Sequence, residues 1–237
     1  AVDTAATVHC WGDDSFGQST PPLGAFRSVA TGHVHSCALG LDEKVVCWGS
    51  PVDGRTLAPA GSFLSLSSRS AHTCGLKTNG SIACWGKNEA GQATPPSGSF
   101  RAVSAGSRHS CAVKSSGEVT CWGSDSSGQG SPPSGSFVSV AAGDEASCGI
   151  RTDGSLSCWG AGQLSPPSGV FTSVASGGQQ NCATANDGSL ACWGAAAAKP
   201  PGGAFSSLAL GSGRYACAID INARLLCWGD AHHPSPD

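Results

Sequence analysis

The chain is short of charge. Asp, Glu, Lys and Arg make up 12% of its 237 residues, about half of ordinary usage. The formal net charge is −3, and no basic run exceeds a pair. Neither a nucleic-acid surface nor an anionic-membrane surface is expected from such a balance. Long apolar runs are missing too. The nearest, Ala195 to Ala198, runs into Lys199-Pro200-Pro201, far below the roughly 20 residues of a membrane span. No methionine occurs, so the chain is expected to be a processed product whose signal peptide has been removed. Helical periodicity is absent. So are Gly-x-Ser-x-Gly, His-Glu-x-x-His and a phosphate loop. The acids are scattered without a recurring pair. Neither an enzyme nor a cofactor is expected.

What is present is cysteine, 13 in all, with 34 Gly and 14 Pro. Such a density reads as disulfides in an oxidising compartment or as metal sites. The seven Trp residues all stand in Cys-Trp-Gly, at Trp11, Trp48, Trp85, Trp122, Trp159, Trp193 and Trp228. Their steps are 37 residues four times, then 34 and 35. A fixed period of this size marks stacked or radially arranged units.

One unit runs from a Pro-Pro-Ser-Gly turn through Phe100-Arg101-Ala102-Val103, His109-Ser110-Cys111-Ala112-Val113 and Val119-Thr120-Cys121-Trp122-Gly123 to a Gly-Gln loop. Short alternating runs bounded by Gly, Pro, Ser and Asn read as strands. Three or four such strands per unit predict an all-β propeller of about 35–37-residue repeats. A linear solenoid is the other arrangement of such units. The expected division is one domain over 1–237: a half repeat 1–25, repeats 26–62, 63–99, 100–136, 137–170, 171–204 and 205–229, and a tail 230–237.

Cys111 and Cys121 flank a turn at Ser115-Ser116-Gly117, so they should face each other across a hairpin. A non-hydrogen-bonded antiparallel pair brings Cα atoms to about 4.5 Å, within disulfide range. The same ten-residue step predicts Cys37–Cys47, Cys74–Cys84, Cys148–Cys158, Cys182–Cys192 and Cys217–Cys227. Each staple should contribute about 2 kcal/mol. Metal sites fit less well, because no Cys-x-x-Cys occurs. The repeated Trp reads as packing between neighbouring units.

Cys10 is left over. It stands on the second hairpin strand of the half repeat, whose first strand is missing. A seven-bladed plan with one incomplete blade is preferred. The alternatives are six blades with an extra N-terminal strand, a longer precursor, or strands supplied by a second chain. An odd cysteine in a secreted protein points to an unpaired or intermolecular thiol.

His109-Ser110-Cys111-Ala112-Val113, then Gly117-Glu118-Val119-Thr120-Cys121-Trp122-Gly123, then a Gly-Gln loop, resembles the regulator-of-chromosome-condensation repeat. The resemblance covers essentially the whole chain and implies a propeller. The two-cysteine variant is similar to the ectodomain repeats of Crinkly-type receptor kinases and to a secreted β-lactamase inhibitor propeller. Fold carries over; function does not. The inhibitor's binding loops are rich in aromatics, whereas the loops here hold only Tyr215.

Those loops, just before each first cysteine, vary most between repeats. On a propeller they gather on one face. The candidate binding face is His33, His35, Arg69, His72, Arg108, His109, Asp144, Glu145, Gln179, Gln180, Arg214 and Tyr215, with Asn181 beside them. Binding resides in loops on a rigid scaffold. A protein partner is expected, with a glycan or an inhibited enzyme as alternatives. His35, His72 and His109 hold equivalent places. A metal or pH-sensing cluster is one reading. A structural His bonded to local backbone is preferred, since equivalents on three blades should lie far apart. Asn79-Gly80-Ser81 is a glycosylation sequon in a hairpin turn.

Overall fold

The computed structural model describes residues 1–162, 165–195 and 197–229; the expected tail 230–237 lies outside them. It is all-β apart from one 3-10 turn, Val52–Gly54. Six antiparallel three-stranded sheets follow one another. Blade 1 is β1 (Phe26–Thr31), β2 (His35–Gly40) and β3 (Val45–Gly49). Blade 2 is β4 (Phe63–Arg69), β5 (His72–Lys77) and β6 (Ile82–Gly86). Blade 3 is β7 (Phe100–Ala105), β8 (His109–Lys114) and β9 (Val119–Gly123). Blade 4 is β10 (Phe137–Ala142), β11 (Ala146–Arg151) and β12 (Leu156–Gly160). Blade 5 is β13 (Phe171–Ser176), β14 (Asn181–Ala185) and β15 (Leu190–Trp193). Blade 6 is β16 (Phe205–Leu210), β17 (Ala216–Asp220) and β18 (Leu225–Trp228).

Each blade starts on a buried Phe and has a bulge one residue later. Successive first strands pack on one another, from β1 through β4, β7, β10 and β13 to β16. They enclose a channel of about 260 Å³ lined by small residues such as Ser67, Ser104, Ala141 and Ala175. The core lies between blades: Cys37 and Leu39 of one pack on Phe63 and Trp85 of the next. Phe63 and Trp85 meet edge-on at 6.2 Å, as Phe137 and Trp159 do at 6.1 Å.

The six staples form as cross-strand pairs, with Cα atoms 4.0 Å apart (4.1 Å for Cys74–Cys84). The hairpin turns need a left-handed residue, supplied at Gly80, Gly117, Gly154 and Gly188. Each turn carbonyl then accepts the N–H of the next blade's Phe, as in Phe100 N→Gly80 O at 2.8 Å and Phe137 N→Gly117 O at 2.8 Å.

The described residues hold six complete blades, the count of the alternative expectation rather than of the seven-bladed plan. The N-terminal segment adds only an isolated bridge, Val2 with Val8. Its bonding nevertheless copies a hairpin tip. Asp3 N→Thr7 O at 3.0 Å matches Lys77 N→Ser81 O at 2.8 Å, and Phe26 N→Ala6 O at 2.8 Å matches the turn-to-Phe bonds. Val2–Val8 occupies the register of Leu76–Ile82. In that register Cys10 stands where Cys84 stands, and the place facing it is the one before Ala1. Val8 packs with Phe26 and Ala38, as a preceding blade would.

Candidate binding face

Three of the expected face residues are not on the surface. His35, His72 and His109 are fully buried. The repeat explains why. Each opens the middle strand of its blade, and the His35 and His109 rings lie over a glycine three residues earlier, Gly32 and Gly106; a Cβ on Gly106 would sit 2.6 Å from the His109 ring. Nε2 then reaches the next blade, not the local backbone. His35 bonds Thr73 Oγ1 at 2.9 Å, His72 bonds Ser110 Oγ at 2.8 Å, and His109 bonds Ser147 Oγ at 2.8 Å. Among the described residues no cluster of three or more His, Cys, Asp or Glu could hold a metal. Burial pushes each imidazole pKa down from 6.5 to about 4, with smaller contributions from neighbouring positive groups. The rings are neutral at pH 7 and act as latches.

The same hydroxyls complete the latch. Ser110 and Ser147 donate to the Gln92 and Gln129 carbonyls at 3.1 and 3.2 Å. Those carbonyls also accept Trp122 Nε1 at 2.8 Å and Trp159 Nε1 at 2.9 Å. The Gly-Gln loops at Gln18, Gln92 and Gln129 are thus structural, each of these glutamines capping its own turn, as in Ala90 N→Gln92 Oε1 at 2.9 Å.

The latch stops at blade 4. Ala146 replaces His there, and blade 5 answers with Asn181, whose Oδ1 accepts Ser176 Oγ at 2.6 Å instead. Gln180, at the His position of blade 5, is buried and therefore leaves the expected face. Over blades 4 to 6 a cleft of about 650 Å³ opens. It is lined by Asp144, Glu145, Ala146, Gln179, Asn181, Ser212 and Arg214 over a floor of Gly162, Gly177, Gly178, Gly194 and Gly213. The shortened repeats after Trp159 and Trp193 contribute Ala161 and Ala195 to it.

Arg69 holds the floor from across the channel. Its Nε donates to Asp144 Oδ1 at 2.8 Å, and its two terminal nitrogens donate to Ser176 O at 3.1 Å and Gly211 O at 3.3 Å. One side chain of blade 2 thus ties blades 4, 5 and 6. Arg69 is a strut rather than a free recognition group. It is also the one charged side chain among the described residues lining the channel cavity. His33, Arg108, Glu145, Gln179 and Arg214 are exposed, and Tyr215 is half-buried. The structure brings Asp144, Glu145, Gln179 and Arg214 together. His33 and Arg108 stand on the loops of blades 1 and 3, outside the cleft.

Residues 70–92, 100–129 and 137–164 match the model of the regulator of chromosome condensation (RCC1) repeat. The chain is an RCC1-like repeat propeller with disulfide staples. Its fold is similar to the Crinkly WD40 ectodomain of the Arabidopsis thaliana receptor kinase ACR4, at 27% identity and TM-score 0.83, covering 98% of this chain and 90% of that one. The ectodomain of the Physcomitrella patens receptor kinase CR4 is 26% identical with TM-score 0.78, over 88% of this chain and 62% of that one. Yeast RCC1 (Prp20), solved bound to Kap60, shares the fold at 17% identity and TM-score 0.73, over 86% and 70% of the two chains. No curated protein sequence matches the chain. Two similar ectodomains and six staples point to an extracellular location. No helix among the described residues is long and apolar enough to cross a membrane.

Proposed function

We propose that the chain is a non-enzymatic module, secreted or displayed at a cell surface, that recognises a protein partner through the loops preceding the first cysteine of each repeat. The observation that carries this reading is the contrast within one ring. The three-stranded, stapled frame repeats from blade to blade, while the loops on one face differ in charge and open a ligand-sized cleft on one side. Binding to a panel of immobilised extracellular protein domains tests it. Glu145→Arg with Arg214→Glu should abolish a binding signal that the opposite-face variant Leu41→Ser leaves intact. Equal signals from both variants would refute the loop face.

Two covalent features belong to the same proposal. Cys10 is half-buried and outside every staple, and burial pushes its thiol pKa up. It is an attachment point of low reactivity, checked by alkylation and intact mass without reductant. Asn79 is exposed, and its Oδ1 accepts from Ser81 N at 3.1 Å and Ser81 Oγ at 2.8 Å. Asp153 and Asp187 do the same in their turns. Asn79 is thus a turn residue first and a glycan acceptor only where a secretory pathway supplies the transferase; a mass shift with N-glycanase would register it.

A further inference from the structure

The cleft over blades 4 to 6 carries opposite charges on its two ends. Glu145 is on the blade 4 loop and Arg214 on the blade 6 loop, and both are exposed. Neither belongs to an ion pair among the described residues. Asp144 beside Glu145 is already fixed by Arg69. Between the ends the floor is bare backbone. The N–H groups of Gly178 and Gly213 have no hydrogen-bond partner among the described residues. A Cβ on Gly162 or Gly213 would meet nothing within 4 Å. No aromatic ring among the described residues lines the cleft.

These features select a ligand class. An uncharged sugar would bring no charge to either end and would find no ring among the described residues to stack on. A small anion would be repelled by Glu145. An extended peptide satisfies all of them. Its backbone carbonyls meet the glycine N–H groups, and its own charged side chains meet the two ends. We propose that this cleft is a peptide-recognition site for a segment bearing one basic and one acidic side chain, the basic one against Glu145 and the acidic one against Arg214. The proposal rests on the reading that the loop face binds protein, and it names which half of the face does so. The half from blade 1 to blade 4 carries the latched histidines.

Selection of a random linear peptide library displayed on phage against the intact, non-reduced propeller tests this. Enriched peptides should carry a basic and an acidic residue at a recurring separation. Gly213→Trp fills the cleft from a position with open space and without a strained backbone. It should weaken those peptides about tenfold or more. Glu145→Arg should shift selection at the basic place towards acidic residues. A thermal melt and the count of six staples confirm that each variant is folded. No enrichment, or enriched peptides that bind Gly213→Trp as well as the parent, would overturn the proposal. Peptides lost only with Arg108→Glu or His33→Ala would place binding on the other half of the face, so that the cleft fails while the loop face stands. Peptides retained by every variant would end both readings.

Discussion

Acidification from pH 7 to pH 4.5 should destabilise the propeller steeply, through three buried imidazoles. His35, His72 and His109 each have a folded pKa of about 4 against 6.5 in the open chain. Between those values the unfolded chain binds more protons than the folded one, so stability falls as pH falls. Above 6.5 both states hold neutral rings and the contribution is flat. Linkage gives a loss of about 1.4 kcal/mol per ring at pH 5.5 and about 2.6 kcal/mol at pH 4.5. Three rings together would then cost about 8 kcal/mol at pH 4.5, comparable with the whole stability of an ordinary domain, about 5–15 kcal/mol. His72 feels both His35 and His109, so the rings charge one after another and the sum is an upper value.

The depressed carboxylates do not confuse the window. Asp3 is held below the ordinary 3.8 first by the His9 imidazole and then by its own turn, and Asp13, Asp153, Asp187 and Asp220 by hydrogen bonds to their own turns. Their stabilisation is present above 3.8 and is lost only below it. Guanidinium melts without reductant, followed by tryptophan fluorescence at half-unit pH steps, would trace the curve. His72→Gln provides the control, because Gln180 already occupies the same place in blade 5. It should remove about a third of the slope between pH 6.5 and 4.5. A flat stability curve over that range, or an unchanged slope in His72→Gln, would refute the latch argument.

Other perturbations follow from the same geometry. Gly106→Ala places a Cβ 2.6 Å from the His109 ring and 2.7 Å from Gly143 O, and should cost about 1–3 kcal/mol in melts, whereas Gly213→Ala should stay within about 0.5 kcal/mol. Arg69→Ala removes three donors that join blades 4, 5 and 6. It should raise hydrogen exchange in those blades while leaving blades 1 and 3 protected. Replacing Cys111 and Cys121 together by Ser should lower stability by about 2 kcal/mol without changing the number of blades. A cysteine added directly before Ala1 should pair with Cys10, because Val2–Val8 keeps the register that brings the other staples to 4.0–4.1 Å. Intact mass and alkylation would read this, and two free thiols after air oxidation would refute the register.

Much of the frame was legible because the chain repeats itself. A ten-residue step about a central turn defines a stapled hairpin from sequence alone, since antiparallel pairing leaves no other register. The histidines were harder to place. Their position two before a cysteine was visible, but the partner lies 38 residues on, one repeat plus one, on the next blade. Read as part of a loop they belong to the face; read against the following repeat they belong to the core. The partner hydroxyl was visible in the same alignment. Thr73, Ser110 and Ser147 each stand one place after the His position of the next blade.

The cleft was the least legible feature, because it is made by what is missing. Ala146 in place of His, glycine floors and two shortened loops remove volume rather than add a group. Their trace in the sequence is the drop in Trp spacing from 37 to 34 and 35, which begins where the latch ends. That coincidence has a physical reading. Where each blade is tied to the next by a His and a hydroxyl, the space at the head of the middle strand is filled by the ring. Where the ties are lost, the blades need another restraint. Arg69 supplies it from across the channel, leaving the volume of the missing rings open. The strut therefore supports the cleft without occupying it. Removing Arg69 should loosen the cleft without filling it, and filling the cleft at Gly213 should leave the strut in place.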